Sequence, residues 1–145
     1  MIIIDLDNCL ADDRWRRHLL PPPGATEAHL WHPYHEGLIN DPVHHQEFWE
    51  EDAIVFTARP ERYRFETRLW LNRHSLITPY LYMRPHGNVR HSVDLKRWML
   101  LALPRGIRTL VTVAYDDRMD VVTMYREEGI EAEYLSIDKG GDYHQ

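Results

Sequence analysis

The sequence has few of the residues that staple small or secreted folds together. Cys9 is its single cysteine, so no internal disulfide can form, and the apolar start MIII meets Asp5 too early to be the core of a secretory signal. No apolar run approaches the ~18 residues that crossing a bilayer requires. No G-x-x-x-x-G-K-[ST] segment occurs, which excludes a phosphate-loop kinase. Internal repeats and low-complexity tracts are also missing. These absences predict a cytoplasmic, soluble chain. Its 145 residues, 43% of them hydrophobic, are enough for one core and are read as a single domain over 1–145.

A shortage of positive charge looks at first like a bar to nucleic acid, since the net charge is -6. The average conceals a division. Residues 1–50 carry nine acids and three bases, residues 51–100 five acids and nine bases, and residues 101–145 nine acids and five bases. Arg59, Arg62, Arg64, Arg68, Arg73, Arg84 and Arg90 dominate the basic middle. A guanidinium fork suits phosphate better than a hydrated ammonium does. The same charges also suit an ordinary solvated helix face, and composition leaves both readings open.

Four short apolar runs end in or beside polar residues: MIII (1–4) at Asp5, AIVF (53–56) at Thr57, YLYM (80–83) at Arg84, and TLVTVAY (109–115) at Asp116 and Asp117. They predict strands, with AEYLSI (132–137) a fifth. Helices are expected between them. One has Pro60 as its first residue and Tyr63, Thr67, Trp70, Leu71 and His74 on one face. A second has Ser92 as N-cap and Leu95, Trp98, Met99 and Ala102 on one face, and a third runs from about Arg118 to Gly129. Alternating strands and helices imply a parallel sheet covered on both sides, with ligands beyond the carboxyl ends of the strands. Residues 19–50, rich in proline, histidine and tryptophan, interrupt the alternation and read as an insertion after the first strand.

The polar residues at the strand ends suit one chemistry. Alternation along an extended chain turns the carboxylates of Asp5 and Asp7 to the same side. One of such a pair can attack phosphorus, and the other can protonate the leaving oxygen and then activate water. Two carboxylates facing a phosphate need a cation, and Asp116 with Asp117 can complete an all-oxygen magnesium site. Thr57 and Lys96 can then hold phosphoryl oxygens.

The order Asp-x-Asp, Thr, Lys, Asp-Asp resembles that of the haloacid dehalogenase (HAD) phosphatases. IIIDLDNCLA, VFTAR, YMRPHGNVRHSVDLKRWML and AYDDRMDVVTMYREEGIEAEYL resemble more closely the phosphatase domain of polynucleotide kinase/phosphatase. The resemblance implies an α/β, Rossmann-like parallel sheet flanked by helices, and a magnesium-dependent phosphomonoesterase working through an aspartyl-phosphate. By this resemblance Asp5 is the nucleophile, Asp7 the acid/base, and Thr57 and Lys96 phosphate ligands. Magnesium ligands would come from Asp5, Asp7, Asp116 and Asp117, and substrate contacts from Arg16, Arg59, Arg84 and Arg90, with Arg14 competing for the place of Arg16. The implied substrate is a nucleotide or a 3'-phosphorylated nucleic-acid end. A nucleoside 3'-monophosphate is then expected to be cleaved nearly as well as a short oligonucleotide. The alternatives are a 5'-nucleotidase, a small-metabolite phosphatase, or a protein that only binds phosphate. Asn8 and Cys9 depart from the family's Gly-Thr after the second aspartate, and Ser92 stands where the family has aspartate.

Rival chemistries fit less well. A cysteine phosphatase using Cys9 needs arginine at position 15, which is Trp15. A phosphorelay receiver places its acidic pair first and its phosphorylated aspartate later, the reverse of the order here. His29, His32, His35, His44 and His45 lack the spacing of zinc ligands. Trp31, Tyr34 and Trp49 either stack on a base or pack within the insertion.

Overall fold

In the computed structural model, which describes residues 1–138, five strands form one parallel sheet. The last residues of the expected domain, 139–145, lie outside the described residues. In chain order the elements are β1 (Ile2–Ile4), α1 (Ala28–His35), β2 (Ile54–Pro60), α2 (Arg64–Arg73), β3 (Leu81–Arg84), α3 (Ser92–Ala102), the one-turn α4 (Arg105–Arg108), β4 (Val113–Asp116), α5 (Met119–Glu127) and β5 (Ala132–Tyr134). Short 3-10 turns at Arg14–Leu19, Leu38–Asn40, Gln46–Phe48 and Glu61–Tyr63 complete them.

The strand order is β3-β2-β1-β4-β5. The chain winds outward from β1 through β2 to β3, then returns to the other side of β1 for β4 and β5. That reversal opens a crevice at the carboxyl end of β1. Asp5 follows β1 directly and Asp116 closes β4, its neighbour in the sheet. The topology therefore brings together two acids 111 positions apart in the chain.

Period-two alternation assigns the core. Ile2 and Ile4 face one layer with Val55, Leu81, Met83, Trp70 of α2 and Leu38 of the insertion, while Ile3 faces the other with Phe56, Leu95, Met99, Val122 and Tyr125. Because both faces are covered, all three residues of β1 are fully buried. The insertion belongs partly to this core, since Ile39, Val43, Phe48 and Trp49 pack against the α2 layer.

Several boundaries differ from the sequence expectation. Pro60 ends β2 instead of starting a helix, because it still pairs with Arg84 across an irregularity in the β2–β3 register. His91, not Ser92, caps α3, its Nδ1 accepting from the Val93 amide at 3.3 Å. Trp98 and Ala102 are exposed, and the buried face of α3 runs through Leu95, Lys96, Met99 and Leu100. The expected strand 109–115 begins only at Val113, and the fifth ends at Tyr134. Gly129 follows α5 with φ +83, a left-handed stop that suits glycine.

Candidate active site

Beyond β1 the backbone must turn sharply. Leu6 accepts from the amides of Cys9 and Ala11, and Asn8 takes a left-handed φ of 59. Asparagine is among the few residues that adopt this conformation readily. The departure from glycine at Asn8 therefore leaves a well-formed turn. Its side chain ties the site together, donating to Asp117 at 3.2 Å and Ser136 Oγ at 2.9 Å and accepting from Arg17 at 2.6 Å and the Asp138 amide at 3.1 Å. Cys9 is fully buried beside it, and burial, then the nearby Asp5, pushes its thiol pKa well up, which suits a packed side chain and not a nucleophile.

Asp5, Asp116 and Asp117 offer carboxylate oxygens within 4.8 Å of one another, all three residues buried. Lys96, on the inner face of α3, reaches across with Nζ 3.1 Å from Asp5 Oδ1 and 2.5 Å from Asp116 Oδ2. Burial works against the ammonium charge, but Asp116 and Asp5 outweigh it and hold the Lys96 pKa well above the usual lysine range. Desolvation pushes Asp116 up to about 6 despite Lys96, and raises Asp117 well above the carboxylate range with help from the charges of Asp5 and Asp116. Three buried carboxylates with one cation between them are short of positive charge. An all-oxygen donor set of this kind fits a hard divalent ion. Among the described residues, no histidine joins such a group.

The carboxylate of Asp7 lies apart from that cluster. Arg59 donates to it from Nη2 at 2.7 Å and Nε at 3.2 Å, and Arg16 from Nη2 at 2.9 Å. Both arginines are completely buried. Asp41, contributed by the insertion, clamps Arg16 with both oxygens, at 2.9 and 2.7 Å, and lies 3.6 Å from Arg59. Arg16 also rests 4.2 Å from the centre of the Tyr34 ring, whose hydroxyl donates to Asp13. Of the two arginines competing for this place, Arg14 is the exposed one, paired with Asp12 at 2.8 Å. Thr57 is buried at the β2 irregularity, its hydroxyl accepting from the Arg59 amide at 3.2 Å.

The basic middle segment divides between the two roles its composition allowed. Arg64 pairs with Glu61 at 2.7 Å, Arg68 donates to the Thr78 carbonyl, and Arg73 donates to that of Ile39 at 3.1 Å. These brace the fold. Arg59, Arg62, Arg84 and Arg90 instead line a cleft of about 760 Å³ that also touches Asp7, Trp31, His32 and His35. Of the three candidate stacking residues, Trp49 packs on the core, while Trp31 and Tyr34 both border the cleft, Tyr34 being almost fully buried with Arg16 over its ring.

Sequence reasoning missed Asp41 and the structural use of Asn8. Neither carries a local signal, because their partners are 25 and 109 positions away.

No family model and no curated protein matches the chain. Solved structures do. With a TM-score of 0.63 and 13% identity over 97% of this chain, it is similar to a haloacid dehalogenase-like family hydrolase from Streptococcus pneumoniae, 86% of which is covered. The fold is thus that of the HAD-like hydrolases. Chains in two structures of the Pnkp1/Rnl/Hen1 complex, one described as an RNA repair complex, are similar with TM-scores of 0.66 and 0.69 and 22% identity over 92% of this chain. This chain spans only 41% and 44% of their lengths.

Proposed function

We propose that this protein is a magnesium-dependent phosphomonoesterase acting on nucleotide or nucleic-acid 3'-phosphate ends. The observation that carries the reading is the buried convergence of Asp5, Lys96, Asp116 and Asp117 at the sheet's switch point. A protein that only binds phosphate has no use for so many carboxylates. Similarity to chains of an RNA repair complex supports a nucleic-acid end as substrate.

In this mechanism a carboxylate oxygen of Asp5 attacks phosphorus, and the bond to the 3'-oxygen breaks as Asp7 delivers a proton to it. Asp7 then takes a proton from water, whose oxygen attacks the aspartyl-phosphate, releasing inorganic phosphate and restoring Asp5. Thr57 and Lys96 hold the phosphoryl oxygens through the transfer. Magnesium held by Asp5, Asp116 and Asp117 would offset charge on the phosphoryl group. As the structure stands, Arg16 and Arg59 are engaged by Asp7 and Asp41, so a substrate phosphate must compete with carboxylates for them.

The test is a substrate panel with and without magnesium: 3'-phosphorylated oligonucleotides, 3'- and 5'-mononucleotides and an aryl phosphate. Hydrolysis of the 3'-phosphates, lost on chelation, is expected. Cleavage of 5'-mononucleotides alone would replace this reading with a 5'-nucleotidase.

A further inference from the structure

Arg84 differs from Arg62 and Arg90 in the same cleft: they are exposed, whereas it is partly buried. It closes β3, and its Nε donates to the Ala58 carbonyl at 3.1 Å while Nη1 donates to those of Asn88 at 3.4 Å and Arg90 at 2.6 Å. Among the described residues it has no carboxylate partner, and Nη2 makes no hydrogen bond. Burial with nothing to balance the charge pushes its pKa down to about 10. Nor do the neighbours balance it. The acids lining the cleft are Asp7, engaged by Arg16 and Arg59, and Glu61, engaged by Arg64. Arg62 has the His32 ring at 2.6 Å and Arg90 stacks over Trp98 at 5.7 Å, so neither has an acid partner among the described residues.

Such a wall asks for an anion, because a partly desolvated guanidinium is costly unless something pairs with it. Arg84 is also set apart from Asp5 in the sheet, since β3 lies two strands from β1, with strand axes roughly 10 Å apart, and its head is tied by carbonyls of β2 and of the segment after β3.

We propose that Arg84, with Arg62 and Arg90 beside it, forms a subsite for a second phosphate, so that the preferred substrate is a nucleotide 3'-phosphate that also bears a phosphate on its 5' side. This rests on the nucleotide reading above and replaces the expectation that a 3'-monophosphate is cleaved nearly as well as a short oligonucleotide. The second phosphate is either the free 5'-phosphate of a 3',5'-bisphosphate or the phosphodiester joining the last nucleotide of a chain to its neighbour. The chemistry recognised is the same, and a forked guanidinium binds either.

The experiment compares kcat/KM for thymidine 3'-monophosphate, thymidine 3',5'-bisphosphate, a dinucleotide with a 3'-phosphate and free 5'-hydroxyl, and a similar pentanucleotide. The unaltered protein and the Arg84→Ala and Arg84→Lys variants are each assayed with magnesium. For the unaltered protein, the bisphosphate and the dinucleotide should exceed the monophosphate by about tenfold or more, as a charged hydrogen bond allows. The pentanucleotide should add little. Arg84→Ala should bring the ratio close to one, and Arg84→Lys should leave it intermediate. Being a ratio, it cancels any loss of folded protein. Equal rates on mono- and bisphosphate, or a preference that survives Arg84→Ala, would overturn the subsite while leaving the phosphatase reading intact. Preference for the bisphosphate over the dinucleotide would assign the subsite to a terminal 5'-phosphate, and the reverse to a chain. Phosphate release from none of the four, with the aryl phosphate of the panel above hydrolysed, would instead remove the nucleotide reading and the subsite with it.

Discussion

Asp41 shows how a single residue outside the expected motif set can hold the site in place. Its two oxygens fix a fully buried Arg16, which in turn reaches Asp7. Removing one partner of a buried pair leaves an uncompensated charge, a loss of about 3–5 kcal/mol where no other anion is near. Here Asp7 remains, so Asp41→Asn is expected to fold with a lowered Tm and to lose about tenfold or more in kcat/KM well below that Tm. If the loss runs through Arg16, the Arg16→Ala and Asp41→Asn changes together should be no worse than Arg16→Ala alone. Additive losses would mean that Asp41 acts independently of Arg16. Of the expected site residues, Asp5, Lys96, Asp116 and Asp117 converge on one group. Asp7 stands outside it, because neighbouring guanidiniums claim its carboxylate.

Among the elements, the turn after β1 does the most to join distant parts of the chain. Asn8 combines a left-handed backbone with four side-chain hydrogen bonds, two of them to the segment after β5. Alanine there would meet the left-handed penalty of about 1–2 kcal/mol and lose those bonds, for a total of roughly 3 kcal/mol. Glycine loses the same bonds but avoids the left-handed penalty, and should be milder. Denaturant unfolding of Asn8→Ala and Asn8→Gly measures the difference, and equal effects would show that the backbone conformation contributes nothing. Strand ends were legible in the sequence because apolar runs stop where polar ligands begin, as at Ile4–Asp5 and Tyr115–Asp116. Helix faces were less so. The α3 pattern fits either a stripe through Trp98 or one through Lys96 and Leu100, and only the sheet beneath decides between them. Pro60 misled for a similar reason, since its fixed φ suits a strand end as well as a first helical turn.

At the scale of the molecule, the sheet gathers charges that the isolated elements would keep apart. The fold class could be read from strands alternating with helices. The insertion's part in the core and its gift of Asp41 could not, since both depend on contacts across the domain. Gathering the carboxylates links stability to pH. Asp116, raised to about 6 by burial, and Asp117, raised well above the carboxylate range, keep protons in the folded chain that the unfolded chain releases. Their contribution to stability is therefore present at low pH and is lost as pH rises through about 6. A divalent ion needs both groups ionised, so its stabilisation should grow over the same window. Thermal unfolding should show magnesium raising Tm at about pH 7.5 and much less at about pH 5, while equal shifts at both would place the ion elsewhere.

In the proposed mechanism Asp5 accepts the phosphoryl group, and its role is read from the release of inorganic phosphate from a 3'-phosphorylated dinucleotide. Initial rates with magnesium should be compared for the unaltered protein and Asp5→Asn, whose near-isosteric amide cannot serve as the acceptor. Turnover is expected in the first and a loss on the order of 10⁴-fold or more in the second, with the fold preserved. An Asp5→Asn protein that releases phosphate at the unaltered rate would contradict that role.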